Sequence, residues 1–499
     1  MKEKLETLLV RSLPNGSILQ QTVKSGAWLG ATNVATRGLQ LAMLVVLANL
    51  LDPADFGVLG VSLLVLSALN KFSKLGLNAA AIQNRDEDVD EYLNTMWVLQ
   101  LARGALLAGA LVGMAPLVGA VFGEPRATVI VRVLALSPLL FAVSNPGVVY
   151  FRKNLNYHLN FVYQVSGSVT RVAVSIGWAL VSPTVWALVG GLLAADLVRF
   201  VASYAIHSYR PWPEFHGAYA AELVDYGKWI TGNSILHFLS SEGDDAVVGW
   251  LLPSAALGFY QTAYRLSNAP ATEISQVIAG VMFPAISTLQ DDVAAVREAY
   301  YRMLQVTVFT ASPVAFGIAA VADVFVLTFM GPKWEPAIVL IRMLAVYGLV
   351  RAVGKTTGPV WKAMGRPDYV TKILGLRVVF IALLIVPLTN AYGVEGAALV
   401  VTGSILLMFP LNMHLVVRSV DGSYRRCVRE LAYPFVASSA MYGAVMVIDR
   451  LSSPTAGAFE FCLLVATGVA TYITVSGLLA FSSPWDIGNN LRTVVDVTA

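Results

Sequence analysis

The feature that most restricts the fold of this chain is a long series of apolar segments, most of them about 20 residues or longer, separated by short polar turns. A helix of that length crosses the hydrocarbon core of a bilayer and satisfies its own backbone hydrogen bonds. A transmembrane barrel would alternate polar and apolar residues along each strand, and these segments do not alternate. Only 13% of the residues are charged, against about 25% in soluble domains. The sequence therefore predicts an all-α membrane protein.

Apolar runs bounded by charges, Gly or Pro predict 14 transmembrane helices. They cover residues 24–51, 56–83, 93–122, 127–149, 161–181, 184–206, 226–251, 256–287, 299–321, 338–360, 369–389, 394–417, 431–449 and 457–481. No loop between them is long enough for a soluble domain, and the amino-terminal segment lacks the pattern of a cleaved signal peptide.

The basic residues of the loops predict the orientation, because Lys and Arg concentrate on the cytoplasmic side of a membrane. With the amino terminus inside, 19 of the 34 basic residues fall in cytoplasmic segments and three in external ones. Both termini are therefore expected in the cytoplasm, in a multi-pass protein of the cell (inner or plasma) membrane.

A short pattern occurs once in each half of the chain. Leu-Leu followed by Pro53 and Gly57 is repeated as Leu-Leu followed by Pro253 and Gly258. Half-length similarity in a hydrophobic chain is typical of transporters built from structural repeats, in which the substrate path lies between the halves. A chance match of short apolar strings is the alternative.

The second copy of this pattern belongs to a longer series of motifs that resembles the Wzx-type polysaccharide flippases. These motifs are Asp244, Gly249, Leu257-Gly258, Tyr260 and Ala263, with Leu51 to Gly57, Leu75-Gly76-Leu77, Ala81-Ile82-Gln83, Phe283 to Ser287, Gly331 to Trp334, and Tyr392 to Ala398. Each motif is weak alone, but their order and spacing extend from about Lys24 to about Arg418. The chain is similar to the polysaccharide-transport branch of the multidrug/oligosaccharidyl-lipid/polysaccharide superfamily.

This resemblance implies two six-helix lobes arranged as a V around a central cavity, with two further helices at the carboxyl end. The expected divisions are a cytoplasmic segment 1–23, an N-lobe 24–206, a linker 207–225, a C-lobe 226–417, a basic loop 418–430, two helices within 431–481 and a cytoplasmic tail 482–499.

Leaving out the four residues at each end, the predicted spans contain twelve basic and five acidic residues. A charge at the bilayer centre costs at least ~2.5 kcal/mol, so most of these side chains are expected to face an aqueous cavity or one another. The excess of cations predicts an anionic substrate. Guanidinium groups bind a diphosphate well, because their forked donors match its oxygens.

Six of these cations are the predicted binding residues for a diphosphate or an anionic glycan. They are Arg37, Arg103, Arg171, Arg265, Arg351 and Lys355. Arg37 and Arg171 lie near the middle of their spans, whereas Arg132 and Arg342 lie close enough to a helix end to reach the headgroups. Arg351 and Lys355 share one helix face because they are four residues apart.

Three acidic residues in the spans have two possible roles each. Asp244 and Asp245 are predicted to bind a coupling ion or to gate transport, with pairing to an arginine as the structural alternative. Asp196 and Arg199 are three residues apart, so the simplest interpretation is that they neutralise each other.

The leading hypothesis is a flippase that moves polyprenyl-diphosphate-linked oligosaccharide to the outer leaflet by alternating access, for cell-surface polysaccharide assembly. Its expected partners are this lipid-linked substrate, membrane lipids, and the polymerase and assembly proteins of the same process, without nucleic acid, and no cofactor is expected. A peptidoglycan-precursor flippase and a multidrug exporter are alternatives within the superfamily, although an exporter of cationic drugs would need an acidic cavity. A glycan polymerase or ligase is less favoured, because the longest external loop, about 322–337, has no convincing acid/base pair.

Overall fold

The computed structural model describes residues 18–73, 89–153, 156–268, 286, 289, 291–451 and 457–482. These residues form helices joined by short turns, and no strand occurs among them. Their backbone contacts divide the described chain into two compact units. The first unit contains residues 18–51 and 65–235, and the second contains 52–64 and 236–482. The predicted motifs at 75–83 and most of that at 283–287 lie outside the described residues.

The first unit contains the helices of the amino-terminal half, except the beginning of α2. They are α1 (Ile18–Leu50), α2 (Pro53–Phe72), α3 (Val89–Val121), α4 (Pro125–Leu134), α5 (Leu136–Val143), a 3-10 turn (Pro146–Val149), α6 (Tyr150–Lys153), α7 (Tyr157–Val181), α8 (Val185–Ile206) and the first part of α9 (Gly217–Leu251). Helices α7 and α8 pack closely, because a Cβ on Gly191 would lie 1.9 Å from the Ser175 hydroxyl. Trp28 of α1 packs edge to face against Phe161 of α7.

The second unit contains the remaining helices and the first three turns of α2. They are α10 (Ser254–Ser267), α11 (Val293–Ala320), α12 (Ala322–Phe325), a π turn (Val326–Met330), a 3-10 turn (Pro332–Trp334), α13 (Ala337–Gly354), α14 (Thr357–Ala363), α15 (Asp368–Ser419), α16 (Tyr424–Leu451) and α17 (Ala458–Ser482). A core around Tyr300, Leu304, Trp361 and Val416 joins α11, α14 and α15.

The observed helices follow the predicted apolar segments, with differences at glycine and proline. The spans predicted at 369–389 and 394–417 lie in α15, which breaks at Gly393, where φ is 59°. The span predicted at 127–149 is divided into α4 and α5, and Pro138 of α5 has no N–H to donate to the preceding turn. The span predicted at 338–360 is divided between α13 and α14, so Lys355 follows the end of α13.

Ten helical segments among the described residues are long and apolar enough to cross a membrane. Several are too apolar on all sides for a soluble fold: Leu106, Leu383 and Phe481 are among their exposed large side chains. The chain is therefore a multi-pass helical membrane protein.

Candidate functional site

The Pro-to-Gly parts of the two copies of the Leu-Leu-Pro-Gly pattern pack against each other within the second unit. Helix α2 begins at Pro53 and α10 at Ser254, and each carries a glycine four residues later. A Cβ on Gly57 would lie 1.7 Å from the carbonyl oxygen of Ser254, and a Cβ on Gly258 would lie 2.0 Å from that of Pro53. The contact is reciprocal, and only glycine permits this approach of one backbone to the other.

An aromatic cluster covers this crossing. Trp334 is fully buried, and its ring lies edge to face against Phe56 of α2 at 5.1 Å and Phe259 of α10 at 5.8 Å between centroids. The adjacent Lys333 ammonium lies 3.5 Å from the Asp52 carboxylate. Because Gly331 has a φ of 91°, the chain turns sharply enough to place Trp334 there. The predicted Gly331 to Trp334 motif therefore holds the two repeats together.

The two predicted coupling acids lie near the end of α9 and are bonded to the next helix. Asp244 is buried and accepts a 2.6 Å hydrogen bond from the Tyr260 hydroxyl. Half-buried Asp245 accepts a 3.1 Å bond from the Gln261 amide. Both bonds connect α9 to α10, so these carboxylates belong to a packed helix pair, and neither bond uses an arginine.

A second polar group lies farther along α10 and connects three helices. The Tyr264 hydroxyl accepts a 2.6 Å bond from Arg351 of α13 and lies 3.4 Å from the Tyr347 hydroxyl. Tyr347 accepts a 3.1 Å bond from Arg377 of α15. Arg351 also donates to the side-chain amide oxygen of Asn268 at 3.3 Å. Two guanidinium groups thus converge on two phenols inside one unit.

The other predicted cations of the second unit differ from Arg351 in their surroundings. Arg265 lies in the last turn of α10 and is exposed, although its charge acts on Asp245. Lys355 is half-buried, and its backbone N–H bonds to the Arg351 carbonyl. This bond is the one expected between residues four apart in a helix, so Arg351 and Lys355 are one helical turn apart.

In the first unit, Arg171 is half-buried near the middle of α7, and Arg37 is exposed along α1. Arg37 donates to the Gln40 amide oxygen at 3.4 Å along its own helix. The Asp196–Arg199 pair is present, at 3.2 Å on α8, and the Ser137 hydroxyl donates to the other Asp196 oxygen at 2.6 Å. The interpretation of these two residues as a structural pair is confirmed.

Arg103 has a different environment from the other predicted binding residues. Its Nε donates to the Ser73 carbonyl at 2.8 Å, and its Nη2 donates to the Asn70 carbonyl at 2.9 Å. Asn70 lies in the last turn of α2 and Ser73 follows it, and the last carbonyls of a helix are the ones that need partners from outside it. This geometry favours a role in capping α2, and substrate binding by Arg103 stays a prediction.

Sequence reasoning missed several members of these groups. They are Gln261, Tyr264, Asn268, Tyr347 and Arg377. One signal was available in the sequence. Tyr260 and Tyr264 are four residues apart and so share a face of α10, and Arg265 lies in the same last turn as Tyr264. No local pattern connects α10 with Tyr347, which is 83 positions beyond Tyr264.

Comparison with known sequences places these features in a family. A model of the polysaccharide biosynthesis protein family matches residues 46–339. The lipopolysaccharide biosynthesis protein WzxC of Escherichia coli is 27% identical over 429 residues, which cover 85% of this chain and 86% of WzxC. The succinoglycan biosynthesis transport protein ExoT of Rhizobium meliloti is 24% identical over 339 residues, 68% of each chain.

Solved structures show the same fold at low sequence identity. The lipid II flippase MurJ in an inward closed conformation superimposes with a TM-score of 0.74 at 12% identity, over 91% of this chain and 99% of MurJ. An inward-facing multidrug resistance MATE family transporter of the MOP superfamily gives a TM-score of 0.61 at 13% identity, over 77% of this chain and 95% of that one. These superpositions confirm the all-α fold class that the sequence predicts.

Proposed function

This chain belongs to the polysaccharide biosynthesis protein family, and on that basis we propose that it is a flippase for lipid-linked glycan. It moves a polyprenyl-diphosphate-linked oligosaccharide from the cytoplasmic to the outer leaflet for cell-surface polysaccharide assembly. The names of WzxC and ExoT support this function. The protein is a transporter and makes or breaks no covalent bond. Its partners are the lipid-linked substrate and membrane lipids, with the polymerase and assembly proteins acting on the product.

The observation that carries this proposal is the set of cations placed on apolar helices. Arg171 lies near the middle of α7, and Arg351 is held among the phenols of the second unit. Burying such charges is costly unless they meet water, an acid or an anionic ligand. A diphosphate has the charge and the spaced oxygens that guanidinium donors match. Arg37, Arg171, Arg265, Arg351 and Lys355 are the proposed binding residues.

The topology proposed here has 14 transmembrane helices with both termini in the cytoplasm, in two lobes of six helices and two further helices. The excess of Lys and Arg in the alternate loops supports it. In this orientation the turns before α2 and α10 are external. A reporter fused after Ser419 is expected to be cytoplasmic, and an external readout from a stably inserted fusion would contradict this topology.

The reciprocal glycine contact supports alternating access. Gly57 and Gly258 bring the external ends of α2 and α10 to backbone contact, and Trp334 seals them. We propose that this contact is the outer gate and that it opens to release substrate. A closed outer end is what an inward-loading state requires.

Two other substrates are considered within the same fold. A peptidoglycan precursor carries the same diphosphate, and the likeness to MurJ shows the fold alone. A cationic drug is disfavoured by the excess of basic residues in the spans. The polysaccharide relatives favour a lipid-linked oligosaccharide.

The test is a flipping assay with purified protein in liposomes. A fluorescent polyprenyl-diphosphate oligosaccharide is placed in one leaflet, and its transfer is followed by quenching from the other side. We expect transfer with the wild-type protein, and none in protein-free liposomes. Transfer of a cationic dye with no transfer of the lipid-linked glycan would indicate an exporter.

A further inference from the structure

The first unit contains a small polar cavity that none of the predicted cations enters. It lies where α5 ends, beside the middle of α3 and the first turns of α7. Its volume is about 160 Å³, enough for several ordered waters or for one sugar ring. Its walls carry amides, a tyrosine, a phenylalanine and a serine, and no charged residue is among the described residues that line it.

One wall of this cavity is held in place by its own hydrogen bonds. The Asn145 side chain donates to the Tyr209 carbonyl at 2.6 Å and accepts from the Gly147 N–H at 2.9 Å. The Asn145 N–H donates to the Ser203 hydroxyl at 2.9 Å. The Ser144 hydroxyl donates to the Leu140 carbonyl at 2.8 Å. This wall is therefore a preorganised surface.

The opposite walls carry polar side chains without such bonds. Gln100, Asn160 and Tyr163 are 8%, 5% and 9% exposed, and the structure gives their side chains no hydrogen-bond partner among the described residues. Gln164 lies beside them and is half-buried. Leaving a buried amide or phenol unpaired is unfavourable, and most such groups in proteins bond to protein, water or ligand. These side chains are therefore available to water or to a ligand in the cavity.

The chemistry of the lining indicates the class of ligand. An amide offers both donors and an acceptor, and a phenol offers one of each, which matches hydroxyl groups that both donate and accept. Phe141 and Tyr163 provide flat apolar faces for the C–H side of a sugar ring. A phosphate or a uronate would need a cation, and no described residue of the lining carries a positive charge. Arg199, whose charge acts on Tyr163, is paired with Asp196. Burial, and then the charge of Arg210, lower the pKa of the neighbouring His207, so its ring is neutral at pH 7.

We propose that this cavity binds one uncharged hexopyranose residue of the glycan, with Gln100, Asn160 and Tyr163 as its hydrogen-bonding residues. The cavity lies at the end of the first unit that also carries Lys153 and Arg210, which the positive-inside rule places in the cytoplasm. It therefore selects the glycan before transport, separately from the cations that bind the diphosphate. This inference rests on the proposed flippase function.

The test measures sugar binding directly, independently of transport. Full-length protein in nanodiscs is examined by saturation-transfer NMR with the methyl glycosides of glucose, galactose and N-acetylglucosamine, with glucuronate and with inorganic phosphate. The variant Gln100→Met, Asn160→Leu keeps side-chain volume and removes both amides. Tyr163→Phe removes one oxygen. The control is Asn412→Leu, because Asn412 is half-buried in α15 and bonds to its own helix.

We expect at least one neutral glycoside to bind. The double variant should bind it with an affinity at least about tenfold lower, as loss of two hydrogen bonds implies. Tyr163→Phe should weaken binding by a smaller factor, and Asn412→Leu should not change it. The melting temperature of the double variant should be unchanged or higher, because the lost amides have no partner in the described protein. Glucuronate and phosphate should not compete.

Three results would overturn the inference: no glycoside binds, the double variant binds as well as wild type, or phosphate displaces the sugar. Failure of the flippase function gives a different pattern, in which the glycoside binds and wild-type protein moves no lipid-linked glycan. If the wild-type protein transports the lipid-linked glycan but binds no glycoside, the proposed sugar site is wrong and the flippase function stands.

Discussion

Arginines in the two units are held in different ways. In the second unit, Arg351 donates to the Tyr264 hydroxyl and Arg377 to the Tyr347 hydroxyl. In the first unit, Arg171 lies half-buried near the middle of α7 and Arg37 is exposed on α1. A guanidinium that makes short hydrogen bonds must exchange them to bind a ligand, which reduces the gain. Arg351 and Arg377 are therefore expected to stabilise the second unit through this network.

Glycines at close approaches and glycines in open positions give a second contrast. Gly57 and Gly258 of the second unit face backbone oxygens, whereas Gly109 and Gly113 in the span formed by α3 have nothing within 4 Å of a Cβ. Gly57 and Gly258 are therefore required by a specific close approach, and Gly109 and Gly113 are not.

The largest expected effect comes from filling this close approach. Gly57→Leu and Gly258→Leu should each prevent the closed contact of α2 and α10, because overpacking of this kind costs about 1–3 kcal/mol or more. A cost of ~3 kcal/mol reduces the closed population by more than about 100-fold, and transport in liposomes should fall accordingly.

The control for this prediction is Gly109→Leu, which should insert and transport nearly as wild type. Membrane levels and melting temperature show whether each variant folds. Normal transport by a folded Gly57→Leu protein would contradict the proposed outer gate.

The next effect tests the contrast between the arginines. Arg171→Ala should lower transport by about 10- to 100-fold, as loss of a charge-assisted contact worth about 1.5–3 kcal/mol implies. It should lower the melting temperature less than Arg351→Ala does, because Arg351 joins α13 to α10. Arg351→Ala should lower both transport and melting temperature, because it removes the guanidinium that donates to the Tyr264 hydroxyl and to the Asn268 side-chain amide oxygen.

Arg132→Ala is the matched control, since Arg132 is exposed in the last turn of α4. Equal losses of transport from Arg132→Ala and Arg171→Ala would show that depth in the span does not separate their roles. Equal decreases in melting temperature for Arg171→Ala and Arg351→Ala would show that the arginine network of the second unit is not specifically stabilising.

A smaller effect, on coupling, is expected at Asp244. Asp244→Asn removes a charge and keeps an oxygen that can accept from Tyr260. If Asp244 binds the coupling ion, flipping in liposomes should lose its dependence on a proton or sodium gradient and slow by about tenfold, a typical coupling energy.

Tyr260→Phe sharpens this test because it removes the hydrogen bond and keeps the carboxylate. Gradient dependence should survive in Tyr260→Phe. Slower transport with preserved gradient dependence in Asp244→Asn would assign that carboxylate to gating, and no change in either would leave it a structural partner of Tyr260.

The smallest effect is expected at the phenol that joins the two arginines. Tyr347→Phe removes the acceptor for Arg377 and should lower the free energy of unfolding by about 1 kcal/mol. Tyr392→Phe is the control, because Tyr392 is 64% exposed. A melting temperature equal to that of wild type for both variants would show that the phenol network does not stabilise the second unit.

The sequence by itself determined the class of fold, because hydropathy and segment length are local properties that the bilayer converts into helices. It also identified the paired turns at Gly57 and Gly258, since a glycine that follows the start of a helix leaves a local pattern. The Asp196–Arg199 pair was readable for the same reason, as helical spacing brings residues three apart onto one face.

Only the tertiary structure decided which partners these residues meet. The reciprocal contact of α2 and α10, the meeting of Tyr264 with Tyr347, and the capping of α2 by Arg103 all join residues far apart in sequence. The same holds for the cavity that collects Gln100 and Asn160 from separate helices. Periodicity reports which face of a helix is apolar, but it carries no information on which other helix packs there, and that choice depends on the shape and hydrogen bonding of both surfaces.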